Sequence, residues 1–275
     1  MKQRTPRVIK KESWTFANKD CLNCVNRNIC IRCSSLNLPL RKIFLYTLGY
    51  KEKDNKNMKL GKKIHSEYFK DIKEIEEYGL KEFYSDLYKG KEIKITEIPV
   101  CSKKYALRGH LDCLTIQFDG NAYNIEITEL KAKYNKSHFF QVWAYALILS
   151  DPNCNIMYKV KKRKEYLLTK RLYPPNRPIV INLRIRFIYY KTKKIYSSEW
   201  INNNTIGSFV SPVMTKAKRI RKFMNAGEFY LSNLKECPFC KRVKCDFIDI
   251  CQRFPYKKGI QTKFGKRKIV IPSKL

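Results

Sequence analysis

Acidic residues are scarce in this chain: 24 Asp and Glu stand against 58 Lys and Arg in 275 residues, a formal charge of +34. That imbalance bears on partners rather than on fold. A polyanion is the natural partner and nucleic acid the commonest one; an anionic membrane surface is the rival. Long apolar runs are missing as well. None approaches the roughly 18 residues a membrane-spanning helix needs, and the longest candidate, residues 142–149, is too short. Residues 1–7 lack the apolar stretch of a signal peptide. A cytoplasmic protein of a host or virus-infected cell, with no membrane partner, is therefore expected. There is no internal repeat of the length that marks solenoids or propellers.

Cysteine is not scarce. Of 11 cysteines, Cys21, Cys24, Cys30 and Cys33 form an early cluster, and Cys237, Cys240, Cys245 and Cys251 a late one. In a reducing compartment such clusters point to metal ligation before disulfides. Disulfides or unliganded thiols are the alternative. Cys101, Cys113 and Cys154 stand alone and are expected to be small buried residues. The organisation expected is a cysteine-rich segment at 1–34, a core at 35–235, a C-terminal cysteine cluster at 236–256 and a basic tail at 257–275.

The hydrophobic pattern gives a coarse map. Residues 36–49 read as helical after Pro39, and 51–58 as a charged loop. Apolar residues at Ile64, Tyr68, Ile72, Ile75 and Tyr78 predict a helix over 60–87, broken at Gly79. From Ile93 the period shortens to that of a strand. Residues 105–118 and 122–131 read as strands, joined by a hairpin signal around Asp119, Gly120 and Asn121. The stretch 138–149 reads as a helix. Residues 156–173 and 179–190 are further strand candidates, and 216–226 a basic helix ending before Gly227.

Chemistry concentrates on the hairpin. With a two-residue loop, either Asp119-Gly120 or Gly120-Asn121, paired residue numbers sum to an odd value. Asp112 and Glu129 then share one face, at about 5–8 Å. Two carboxylates so close repel unless a cation lies between them. Lys131, two residues after Glu129, shares the face. A hard divalent ion, Mg2+ or Mn2+, suits Asp112 and Glu129 as ligands, with the Leu130 carbonyl a further candidate. Lys131 is placed to orient a water and to offset charge on a scissile phosphate. His65 offers an imidazole to the metal or the phosphate. Gln141 and Tyr145, four apart on a helix, point polar tips from one face.

The ordered set of His65, Gly109-x-x-Asp112, Glu129-x-Lys131 and Gln141-x-x-x-Tyr145 resembles the PD-(D/E)xK nuclease superfamily, in its RecB-like exonuclease branch. Within that branch it is most similar to the iron–sulfur exonuclease of CRISPR adaptation modules and its viral relatives. The resemblance covers roughly residues 30–255. It implies an α/β fold: a restriction-endonuclease-like mixed sheet flanked by helices, with a cysteine-ligated cluster joining the N- and C-terminal segments. It implies catalytic roles for His65, Asp112, Glu129, Lys131, Gln141 and Tyr145. It also implies an iron–sulfur cluster, 4Fe–4S rather than 2Fe–2S, on Cys33 and three of Cys237, Cys240, Cys245 and Cys251. The family carries one early and three late cysteines, so the fourth late cysteine and the extra Cys21, Cys24 and Cys30 depart from it. Two self-contained four-cysteine sites are the alternative, with zinc as suitable for thiolates as iron–sulfur.

The function implied is metal-dependent exonuclease action on single-stranded DNA or DNA ends. The setting implied is CRISPR adaptation, beside integrase proteins, or viral or host recombination and repair. The rivals are a catalytically silent nucleic-acid scaffold or decoy of the same fold, and a zinc-stabilised structural protein. Basic runs at Lys161–Lys164, Lys191–Lys194 and Lys216–Lys222 are candidate strand-binding surfaces. Tyr166, Tyr173, Phe187 and Tyr189 are candidates for stacking on unpaired bases.

Overall fold

A computed structural model describes residues 31–38, 56–159, 167–173 and 180–226. Cys21, Cys24, Cys30 and the four late cysteines lie outside these residues. So do the helix expected after Pro39, the basic run at 161–164, Tyr166 and the basic tail.

The chain forms a mixed α/β fold on one mixed sheet. In chain order the elements are β1 (Ile31–Arg32), a 3-10 helix (Cys33–Asn37), α1 (Lys56–Tyr68), α2 (Ile75–Tyr78) and α3 (Leu80–Tyr88). Strands β2 (Ile93–Ser102), β3 (Leu107–Phe118) and β4 (Ala122–Lys131) follow, then α4 (His138–Leu149). The remainder is β5 (Asn155–Lys159), β6 (Leu167–Arg171), β7 (Val180–Tyr189), β8 (Lys194–Ser197), β9 (Ile201–Asn202) and α5 (Gly207–Ala226). The strand order is β6-β5-β2-β3-β4-β7-β8, with β1 alongside β3 and β9 alongside β7. β4 and β7 run parallel; every other pair along that path is antiparallel.

β3 and β4 form the expected hairpin. Phe118 pairs with Tyr123, and the Asp119 N–H donates to the Ala122 carbonyl, so Gly120-Asn121 is the loop. Gly120 takes a φ of +96°, which a residue without Cβ adopts readily. The Asp119 carboxylate accepts from the Asn121 and Ala122 backbone N–H groups and closes the turn.

Helix α4 is buried along most of its length, including Val142, Ala144, Leu147 and Ile148. Each fully buried Val, Leu or Ile side chain contributes about 1.5–3 kcal/mol relative to exposure. α4 lies against β3, β2, β4 and the 3-10 helix. That small helix, with Cys33 and Leu36 fully buried, belongs to the same core cluster. Ile31 to Asn37 therefore pack into the core, across the boundary expected at residue 34.

Several boundaries differ from the sequence reading. The helix expected over 60–87 is three helices. It starts at Lys56, inside the expected loop, and stops at Tyr68. Tyr68 is half exposed, whereas Phe69 is buried with Cys113, Leu130 and Ile188. The chain then turns to dock on β2 through a bridge between Glu74 and Thr96. Residues 156–173 double back as the antiparallel pair β5 and β6. β3 starts at Leu107, after a turn that ends on Ala106 at φ +47°. α5 begins nine residues ahead of the expected basic helix and carries Pro212 in its first turns. Among the described residues no helix is long and apolar enough to cross a membrane.

Candidate metal centre

Asp112 and Glu129 occupy the rung next to Cys113↔Thr128, where the β3–β4 ladder stops. They continue the face of Leu114, Ile116, Ile125 and Ile127. At that rung the backbone ladder gives way to a side chain: the Leu130 N–H donates to Asp112 Oδ2 at 2.9 Å. The Leu130 side chain points to the reverse face, into the cluster with Phe69, Cys113 and Ile188. Ile64 of α1 packs on the same cluster, and this seats the helix so that His65 Nε2 lies 3.0 Å from Asp112 Oδ1.

Glu129 is fully buried. Its Oε1 accepts from Lys131 Nζ at 2.6 Å and from Gln141 Nε2 at 2.7 Å. Gln141 Nε2 also donates to the Tyr145 hydroxyl at 2.9 Å, and Gln141 Oε1 accepts from Asn37 Nδ2 at 2.8 Å. Gln141 and Tyr145 are both buried and bear on Glu129; the structure gives them a role inside the protein, holding one carboxylate oxygen in place. Gly109 makes room for this. A Cβ there would stand 2.3 Å from Tyr145 Cε1.

The electrostatics follow from this burial. Desolvation, then the neighbouring Asp112 charge, push the Glu129 carboxyl up to about 8, against the pull of Lys131. Burial lowers the Lys131 pKa, but Glu129 and Asp112 outweigh it and hold the ammonium above its ordinary value. Lys131 is thus a fixed cation rather than a proton acceptor. Burial also lowers His65, and Asp112 and Glu97 overcome it, so the imidazole sits above its usual pKa. Glu97 was not singled out by sequence; its carboxylate is 3.2 Å from His65 Nδ1.

Among the described residues, no three His, Cys, Asp or Glu side chains are gathered closely enough to hold an ion as they stand. The donor set nonetheless fits a hard divalent cation. Glu129 Oε2 is buried and has no hydrogen-bond partner among the described residues. A buried carboxylate with one oxygen unmatched, raised further by a second carboxylate, is what a cation between them would relieve. Cys33 is fully buried and forms no disulfide among the described residues, and burial, then Glu129, push its thiol up. Cys101, Cys113 and Cys154 are buried, as expected.

The base-stacking candidates change. Tyr173, Phe187 and Tyr189 are buried. Exposed rings lie instead at Tyr134 and Tyr196, packed on Phe139. The loop carrying Tyr134 follows Lys131 and is tied to the end of β7 by Tyr190 N–H to Lys131 O and Lys191 N–H to Ala132 O. Exposed Lys133, Lys136, Lys191, Lys193 and Lys194 flank these rings, with no acidic residue in 130–137 or 189–198. On the opposite sheet face, a cavity of about 530 Å³ is lined by Lys94, Glu126, Arg184, Arg186 and Trp200. There Arg184 pairs with Glu126, and Arg186 lies 3.5 Å from the same carboxylate.

No protein-family model matches the chain, and no curated protein is similar enough to count as a relative.

Proposed function

We propose that this chain is a divalent-metal-dependent DNA nuclease of the PD-(D/E)xK type, with a restriction-endonuclease-like core. The observation that carries the reading is the fully buried Glu129, one oxygen held by Lys131 and Gln141 and the other unmatched beside Asp112. A buried carboxylate with one oxygen left unmatched costs stability. It makes sense as part of a ligand set completed by Asp112 and His65.

When bound, Mg2+ or Mn2+ would polarise the scissile phosphate and lower the pKa of a bound water. The chain's own residues supply the rest. Asp112 and Glu129 would hold the ion, with His65 alongside. Lys131, kept protonated, sets a positive charge where the phosphate gains negative charge. Gln141, braced by Asn37 and Tyr145, holds Glu129 in orientation. Tyr134 and Tyr196, among five exposed lysines beside Lys131, offer ring faces to unpaired bases and charge to the backbone. That surface favours single-stranded DNA or DNA ends as substrate. Exonuclease action, CRISPR adaptation with integrase partners or recombination and repair, and an iron–sulfur cluster using Cys33 rest on the motif resemblance alone.

The test is cleavage of end-labelled single-stranded DNA by the purified full chain with Mg2+ or Mn2+. Cutting that disappears in Glu129→Gln and Lys131→Ala while DNA binding persists is the expected result. Binding without cutting by the wild-type chain under both metals would favour the silent scaffold.

A further inference from the structure

The β2–β3 ladder fails at a single rung. Thr96 pairs with Cys113 and Ile98 with Leu111, yet Glu97 and Asp112 between them form no rung. Glu97 is there at φ +49°, a conformation that side chains with a Cβ rarely adopt. Non-glycine residues in this region persist only where the surroundings enforce them, and they cluster at functional sites. The distortion has a visible product. The Glu97 carboxylate reaches His65 Nδ1 at 3.2 Å, on the far side of the ring from Asp112, which lies 3.0 Å from Nε2.

A plain tether between α1 and β2 does not require this. α1 is already held by Ile64 and Phe69 on Cys113, Leu130 and Ile188. The chain after it is held on β2 by Thr96 N–H to Lys73 O and the Glu74–Thr96 bridge. What the kink adds is a carboxylate on one named nitrogen of His65.

We propose that Glu97 is the positioning residue of the metal centre. It accepts the Nδ1 proton of His65, fixes the tautomer, and leaves the Nε2 lone pair facing the ion shared with Asp112 and Glu129. Metal-ligating histidines commonly carry such a partner on the second ring nitrogen, and its loss typically costs about 10–100-fold in metal affinity. The inference rests on the proposed ligand set of His65, Asp112 and Glu129.

The experiment titrates Mn2+ into the full chain without DNA, by calorimetry. It compares wild type, Glu97→Gln and Glu97→Gly, with Asp112→Asn to mark binding elsewhere on the chain. Glycine adopts positive φ without penalty, so Glu97→Gly folds with an unchanged or higher melting temperature. It is expected to bind Mn2+ about 10–100-fold more weakly. Glu97→Gln, whose amide oxygen still accepts a proton, loses less. Nitrogen-15 shifts of the His65 ring in the metal-free protein read the protonation of Nδ1 directly and are expected to change in Glu97→Gly. Wild-type Mn2+ affinity and wild-type His65 shifts in Glu97→Gly overturn this inference and leave the nuclease reading standing. A wild-type chain that binds no more Mn2+ than Asp112→Asn overturns both.

Discussion

Gly109 and Tyr145 touch so closely that the glycine has no room for a methyl group: a Cβ at 109 would lie 2.3 Å from Tyr145 Cε1. The glycine of Gly-x-x-Asp and the tyrosine of Gln-x-x-x-Tyr are thus two halves of one packing contact. Gly109→Ala must displace a buried ring that receives a hydrogen bond from Gln141. Overpacking of this sort costs about 1–3 kcal/mol. A lower melting temperature and at least a tenfold loss of cleavage are expected. An alanine variant as stable and active as wild type would show that the ring yields freely.

Gln141→Leu tests the brace itself. It removes one of two donors to Glu129 Oε1 and leaves Asn37 without its partner. The loss expected is about 1–3 kcal/mol of stability, with cleavage falling more than DNA binding. Tyr145→Phe removes only the hydroxyl and is expected to cost about 0.5–1.5 kcal/mol. Chemical denaturation of the two variants, read beside their cleavage rates, separates brace from packing.

The pH dependence of stability follows from Glu129, whose carboxyl is raised to about 8 by burial and by Asp112. Between the ordinary glutamate value and about 8, the folded chain binds a proton that the unfolded chain has released. Stability contributed there falls as pH rises. Without divalent ions the melting temperature is expected to be higher at pH 5 than at pH 8, and Glu129→Gln should flatten that slope. Mg2+ should recover stability at pH 8 in wild type but not in Glu129→Gln. A slope identical in both proteins would assign the titration elsewhere.

Binding to single-stranded DNA is expected to weaken steeply as salt rises, because Lys133, Lys136, Lys191, Lys193 and Lys194 are exposed on two segments that are hydrogen-bonded to each other. Tyr134→Ala and Tyr196→Ala are each expected to cost about 1–3 kcal/mol for an unpaired strand, and far less for a blunt duplex. Fluorescence anisotropy with both substrates distinguishes stacking from charge alone. Equal losses on both would refute stacking.

How much of this was legible beforehand depends on how locally each feature is encoded. The hairpin was, since either two-residue loop, Asp119-Gly120 or Gly120-Asn121, has the parity that puts Asp112 and Glu129 on one face; that Gly120-Asn121 makes the turn emerged only from the structure. Helix α4 was, because an apolar stretch without turn residues spans His138–Leu149. Glu97 was not. In sequence it is one more charge alternating along a strand, and nothing marks a glutamate for left-handed backbone. Asn37 was missed because its partner Gln141 is 104 residues away. The break after Tyr68 was hidden by Ile72, which keeps helical spacing while packing beside Phe69 from a turn. The stacking aromatics were misassigned because a strand core and a stacking surface draw on the same residue types.

The parallel pairing of β4 with β7, Ala122 to Val180 through Lys131 to Tyr189, has a kinetic consequence. One edge of the strand bearing Glu129 and Lys131 is closed by its immediate predecessor; the other waits for a segment synthesised far later. Closing so long a loop is entropically slow. A nascent chain that has emerged only through the hairpin therefore leaves the outer edge of β4 without its backbone partners until β7 zips into place.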